Sequence, residues 1–402
     1  MTTTTPWPLI GRTARPPAGM LVDRRFGRLV DQFFQLFRDT RQGGGALSVY
    51  LHGEPVVDVW AGWASRKTQW NGDTVTLTFS TGKGVASTVL HRLAGRGVID
   101  YDVPIAQYWP EFAAAGKEAI TVRELLSHRA GLHRVRGLVP EPLSLMDHSL
   151  VSAALAAATP DRRRLRAPGY HAVTFGSLIA EVTSRASGQP FTELVKTEIA
   201  EPLGVKDFWY AVPLDERGRI ARTFPHINPF GVPWAATSFA MSRLPGLRNV
   251  ADAGMPAGFD LLVRNPAVHD SVMPGWNGVF SARALAKMYG ALANGGSVGG
   301  VEFLAPDVVT QLGEVQTTGR DYVLGLPMNW RLGYHAGMVA RRTQPSKTFG
   351  HYGLGGSGAF ADAETGLSIA FVTNRLGNML TPIADLRLPK LGSTALALAA
   401  KA

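Results

Sequence analysis

A chain of 402 residues with 45% hydrophobic and 18% charged residues, 45 Gly and 26 Pro can bury a large core, which excludes a disordered or low-complexity polymer. It contains no cysteine, so disulfides and thiolate chemistry are excluded and any covalent catalysis must use oxygen or nitrogen. The net charge of +10 invites a nucleic-acid reading, but the basic residues are spread along the chain with one knot, DRRRLR at 161–166, and no nucleic-acid-binding motif accompanies them. The expectation is an arginine-biased, solvated surface without a nucleic-acid partner.

In chain order, residues 1–20 are rich in Pro and Thr and read as an irregular arm. They lack a basic segment followed by an apolar core, and no apolar run of about 18 residues occurs later, so the expectation is a cytoplasmic protein with no membrane span. Between Asp23 and Thr40, the apolar residues Phe26, Leu29, Val30, Phe33, Phe34 and Phe37 recur at spacings of three and four, which predicts a helix. After the glycines at 43–45, Ala46 to Leu51 and Val56 to Ala61 read as a hairpin turning around 52–54. Thr74 to Phe79 reads as a third extended segment, and from Lys83 onward the spacing is helical, with an end signal at Gly97. Ser80 therefore falls near a helix N-terminus.

Helices are expected next at 122–127, 149–158, 175–187, 191–199 and 282–293. Residues 348–374 read as a strand, a turn at 363–366 and a second strand, followed by a last helix near 395–400. Strands at both ends around a helical middle predict one domain at 21–402, with an α/β lobe from about 21–82 and 300–402 and a helical lobe at about 83–299. No internal repeat is present.

The chemistry concentrates in TFSTGKGVAST at 78–88. On a helix, residues i and i+3 share a face, so Ser80 and Lys83 bring a hydroxyl and an amine into reach of one another. A serine becomes a nucleophile only when a base takes its proton, a lysine held away from water can be that base, and a helix N-terminus offers N–H groups to an oxyanion. The same four residues are also compatible with an N-capping serine followed by a solvated lysine.

Further stretches separate these readings. APGYHAVTFGSLIAEVTSRASG at 167–188 places Tyr170 after Pro-Gly and before a helix, and FGHYGLGGSGAFAD at 349–362 places His351, Tyr352 and Gly353 on a C-terminal strand. Together with Ser80-Thr81-Gly82-Lys83, these resemble, in order and spacing, the three motifs of the serine β-lactamase and penicillin-binding-protein superfamily, in particular its class C β-lactamase-like carboxylesterases, the family VIII esterases. Residues 56–62, 108–132, 201–210 and 277–296 are similar to the esterase branch as well, so the resemblance extends over about 20–375.

The resemblance implies an α+β fold of β-lactamase/transpeptidase type, an antiparallel sheet flanked by helices with an inserted helical lobe. It implies a serine hydrolase that cleaves short- to medium-chain carboxylic esters without a cofactor or metal. Ser80 would be the nucleophile, with Lys83 and Tyr170 sharing the base and proton-shuttle work; either could take the serine proton. A Tyr170 phenolate would require adjacent positive charge. The backbone N–H groups of Ser80 and Leu354 would form the oxyanion hole, and His351 and Gly353 would support the network or contact substrate. A core or surface tyrosine and a structural histidine stay open as readings of Tyr170 and His351. His128, His171 and Tyr352 read as packing residues.

The sequence departs from the β-lactamase pattern at two positions. Ala172 stands where an Asn would hold a substrate amide, and His351 stands where a Lys would pair with a β-lactam carboxylate. A small ester is therefore the expected partner, with apolar acyl or aryl groups suggested by Phe208, Trp209, Trp234, Phe239 and Trp276. An acyltransferase on the same machinery, and a D-alanyl peptidase or weak β-lactamase, are the alternatives. The sequence leaves the oligomeric state open.

Overall fold

The computed structural model describes residues 18–38, 42–224, 234–256, 258–337, 339, 347–377 and 385–402. Apart from its last three residues, the arm expected at 1–20 lies outside them, as does the side chain of Trp234. A seven-stranded sheet is built from both ends of the chain: β1 (Leu21–Val22), β2 (Gly44–Leu51), β3 (Glu54–Gly62), β4 (His335–Ala336), β5 (Thr348–Tyr352), β6 (Gly358–Asp362) and β7 (Leu367–Thr373). Their order is β1-β3-β2-β7-β6-β5-β4, and every pairing is antiparallel. The join between the two ends of the chain is β2 against β7, in register from Leu51 with Leu367 to Gly45 with Thr373.

Period-two alternation sorts side chains between the faces of this sheet. Leu367, Ile369 and Phe371 of β7, with Leu47 and Val49 of β2, point to one face. There they pack on α1 (Gly27–Gln35) through Phe26, Leu29, Val30 and Phe33, and on the C-terminal helix Arg387–Ala399 through Leu388, Leu391 and Ala395. The alternate residues Ser368 and Ala370, with Ala46, Ala359 and Ala361, are small, and the helix Ala282–Ala293 lies close against them. The Ser368 hydroxyl donates to the Ala286 carbonyl at 2.7 Å, fixing that contact.

The helical region fills 82–313. Its centre is α2 (Gly82–Gly95), which is buried on nearly every side and packs on α3 (Thr174–Ser187). Short strands at Thr76–Leu77, Val279–Phe280 and Phe208–Trp209 tie the two regions together.

The structure corrects several sequence expectations. The extended segment at 74–79 stops at Leu77, because Phe79 turns into the left-handed region (φ 51°). Residues 348–374 hold three strands rather than two, since Gly355 and Gly356, at φ 86° and 104°, reverse the chain within what reads as one strand. The last helix starts at Arg387, well before 395. Helices α4 (Trp234–Arg243), α5 (Arg248–Gly254) and α6 (Phe259–Arg264) were not anticipated, and they form a cap on the helical region.

Candidate active site

Ser80 sits in a single 3-10 turn, Phe79–Thr81, that runs directly into α2. Phe79 anchors this turn by burying its ring while its backbone takes the left-handed conformation, which costs a non-glycine residue on the order of 1–2 kcal/mol. Ser80 itself remains half-buried, reachable from solvent. One turn further along α2, Lys83 is fully buried.

The Lys83 amine has three neighbours. Its Nζ lies 2.9 Å from Ser80 Oγ, 2.6 Å from the carbonyl oxygen of Ala172 and 2.5 Å from the carbonyl oxygen of Gly275. Burial, with no carboxylate to offset it, pushes this amine well below the ordinary lysine range. A neutral amine has two N–H groups and one lone pair. The two carbonyls can only accept, so they take the two N–H groups and the lone pair is left for the Ser80 hydroxyl proton.

Tyr170 lies beside Lys83, whose Nζ is 5.2 Å from its ring centroid, and its phenol is close enough to Ser80 for the serine to act on its pKa. Burial holds the phenol above its usual range, the Ser80 hydrogen bond opposes this, and the Asp321 charge adds to it. The condition for a Tyr170 phenolate, an adjacent ammonium, is thus not met when Lys83 is neutral. The ring is sandwiched: Trp330 stacks on it at 5.4 Å and 15°, and His128 meets it edge-on at 5.2 Å.

Asp321, fully buried, organises this sandwich. One carboxylate oxygen accepts the Val323 and Leu324 N–H groups, and the other accepts the Trp330 indole N–H at 2.9 Å.

His351, on β5, is buried beside Tyr170, with ring centroids 6.2 Å apart, and beside His335 at 4.9 Å. Its Nδ1–H donates to the Tyr352 carbonyl at 3.1 Å, which leaves Nε2 as a lone-pair acceptor with no protein partner. Burial keeps the ring neutral. Gly353 follows. A Cβ there would lie 2.1 Å from the Thr78 carbonyl oxygen and 2.9 Å from Thr81 Oγ1, so only glycine lets the Leu354 backbone come against the turn that carries Ser80.

The serine, the lysine, the tyrosine and the His351-Tyr352-Gly353-Leu354 segment, far apart in sequence, thus converge on one half-buried hydroxyl. Residues 26–391 match the family described as Beta-lactamase. The chain belongs to that family. It is 41% identical over 379 residues, 90% of this chain and 85% of the relative, to Esterase/beta-lactamase LipL of Mycobacterium tuberculosis (strain ATCC 25618 / H37Rv). Among solved structures it is similar to a family VIII carboxylesterase, with a TM-score of 0.82 and 33% identity over 94% of this chain and 98% of that one. It is also similar to a penicillin-binding protein homologue from Caulobacter crescentus, with a TM-score of 0.78 and 32% identity over 93% and 98%. The expected β-lactamase-type fold and the expected enzyme class, a β-lactamase-related carboxylesterase, hold on these matches.

Within the β-lactamase family frame, the residues read as packing do pack. His171 is buried, with Nδ1–H donating to the Gly169 carbonyl and Nε2 accepting from the Leu132 N–H. His128 accepts the His171 backbone N–H on Nδ1 and meets the Tyr170 ring edge-on, so it packs directly beside the site. Ala172 contributes its backbone carbonyl to Lys83, and its side chain faces α5 of the cap, where a Cβ on Gly254 would be 3.4 Å from the Ala172 Cβ. Sequence reasoning missed the Gly275 carbonyl, Trp330, Asp321 and the strained Phe79. A carbonyl carries no residue-type signal, and the other three belong to no motif. Among the described residues no cluster of His, Asp or Glu has metal-holding geometry, and no helix is long and apolar enough to cross a membrane.

Proposed function

We propose that this protein hydrolyses short- to medium-chain carboxylic esters through an acyl-serine on Ser80, with Lys83 as the base. The observation that carries this reading is the set of partners around Lys83 Nζ: two carbonyls that accept and one hydroxyl that can give. As Ser80 Oγ attacks the ester carbonyl carbon, its proton passes to Lys83. The carbonyl oxygen becomes an oxyanion between the backbone N–H groups of Ser80 and Leu354. The Lys83 ammonium returns the proton, through the Tyr170 hydroxyl, to the departing alcohol as the C–O bond breaks. Water then enters, gives a proton along the same route and releases the acid and free Ser80.

His351 fits an ester better than a β-lactam. Its buried neutral imidazole carries no positive charge to pair with a β-lactam carboxylate, as a lysine ammonium would. Acyl transfer to an alcohol would use the same steps with the alcohol in place of the water. A cytoplasmic location is part of the proposal and is tested by cell fractionation.

The decisive experiment is labelling with a fluorophosphonate and mapping of the modified peptide. The adduct is expected on Ser80, and p-nitrophenyl butyrate turnover should be lost in Ser80→Ala and fall at least about 10²-fold in Tyr170→Phe. An adduct elsewhere, or near-native turnover in Ser80→Ala, would overturn the assignment. Products free of transferred ester in the presence of added alcohol would exclude the acyltransferase reading.

A further inference from the structure

The cap has an unusual tip. Of the eleven large apolar side chains exposed among the described residues, four belong to the cap: Phe239 on α4, Leu244 and Leu247 in the turn between α4 and α5, and Leu261 on α6. α4 and α5 pack on each other, and the chain between them turns through Leu244-Pro245-Gly246-Leu247, with the Leu247 N–H donating to the Leu244 carbonyl. Phe239 is 59% exposed and Leu244 51%, and with Leu247 they gather apolar surface at one place on the cap.

The charge at this tip has one sign. From Phe239 to Arg248 the sequence holds Arg243 and Arg248 and no carboxylate. The Arg243 guanidinium lies 4.7 Å from the Phe239 ring centroid, so cation and apolar face point outward together. Arg248 pairs with Asp252 at 3.6 Å, but keeps three quarters of its side-chain surface exposed, while the Asp252 side chain is largely covered. The DRRRLR knot adjoins the same region: Arg164 sits over the Tyr322 ring, and the Tyr322 carbonyl accepts from Asn249 of α5.

The other end of the hairpin is fastened at the site. The Asp252 carbonyl accepts from the Val135 and Arg136 N–H groups, and Gly254 abuts Ala172, whose carbonyl holds Lys83.

We propose that the Phe239–Leu247 tip of the cap docks on an anionic lipid surface, with Phe239, Leu244 and Leu247 entering the acyl boundary and Arg243 and Arg248 meeting the headgroups. Apolar residues flanked by arginines are the composition that lies in such an interface, and the attraction is screened by salt. A second copy of this chain is the poorer occupant, because a twofold contact would set arginine against arginine on a protein already carrying +10. Docking does not rest on the esterase reading.

The test is flotation of the full chain with vesicles of phosphatidylglycerol and phosphatidylcholine, beside vesicles of phosphatidylcholine alone. The expected result is binding to the anionic vesicles, at least about tenfold weaker on neutral ones and released by 0.5 M salt, on the order of a Debye length of 4 Å. The triple variant Phe239→Ser/Leu244→Ser/Leu247→Ser should lose binding while keeping its melting temperature and its turnover of soluble p-nitrophenyl acetate. Arg243→Gln/Arg248→Gln should weaken binding on its own, and Ser80→Ala should float like the wild type, which separates this proposal from the fate of the catalytic one. No flotation, equal flotation of the triple variant, or equal binding to neutral vesicles would overturn the proposal. So would a lipid-free dimer that the triple variant dissolves.

Discussion

Lys83 and Lys117 are both fully buried amines that form no ion pair among the described residues, and they differ in one acceptor. Lys117 Nζ faces three carbonyls, of Ala114, Ala156 and Ala158, at 2.6, 2.8 and 2.7 Å. Three acceptors that cannot donate demand three N–H groups, so Lys117 must keep its proton even though burial lowers its pKa. Lys83 faces two carbonyls and a hydroxyl, and can give its proton up.

This contrast predicts opposite phenotypes. Lys117→Met should leave buried carbonyls unpaired, at roughly 1–3 kcal/mol each, and lower the melting temperature while turnover per folded molecule stays within about twofold. Lys83→Met should instead abolish ester turnover, by at least about 10²-fold, with the fold retained. Thermal melts and p-nitrophenyl butyrate kinetics on both variants decide it; a stable, active Lys83→Met would refute the base assignment.

Gly353→Ala places a methyl 2.1 Å from the Thr78 carbonyl oxygen, on backbone that cannot swing aside. The Leu354 N–H would be displaced from the serine turn, and kcat should fall by about 10²-fold, as loss of one oxyanion donor does, with a smaller change in KM. A variant whose kcat is unchanged would separate Leu354 from the oxyanion.

Asp321→Asn keeps the shape of the side chain but removes a charge that raises the Tyr170 pKa, and it weakens the hold on the Trp330 indole. Turnover should drop about tenfold or more, and the alkaline limb of the rate profile, where Tyr170 loses its proton, should move to lower pH. Trp330 fluorescence should change in the same variant. An unshifted limb with native fluorescence would mean that Asp321 does not position the pair.

Acid should destabilise the fold before carboxylates titrate. Among the described residues six imidazoles are buried: His91, His128, His133, His171, His335 and His351. Burial lowers each, to about 4 for His91, His133 and His335 and about 3 for His171. As pH falls below 6.5 the unfolded chain takes up protons that the native protein refuses, so stability falls with falling pH, by up to about 1.4 kcal/mol per unit for each such ring. Melting temperatures at pH 7.5 and 5 should differ strongly, and a flat profile over that interval would contradict the burial of these rings.

Much of the architecture was legible because it is written in local period. The hairpin of β2 and β3 and the helix at 282–293 follow from alternation and from three-and-four spacing. The nearness of Ser80 to Lys83 follows from helix geometry once α2 is placed. Tyr170, His351 and Gly353 were reachable only through the family resemblance, since they are brought in by tertiary packing across the sheet and helices. The carbonyls of Ala172 and Gly275, the Asp321 network and the inversion at Phe79 were not legible, because backbone acceptors have no residue code and a buried carboxylate looks like any other in a sequence. The cap was missed because its helices are short and mix apolar with small residues on all sides.

The contact between Gly254 and Ala172 has a consequence for evolution of the site. α5 passes beside the partly exposed Ala172 side chain, and one carbon added to Gly254 would already touch it. An asparagine at 172 would therefore have α5 as a neighbour, and its amide would have to orient against the cap as well as toward a drug. Resistance arising from this scaffold would thus involve the roof of the cleft as well as its floor.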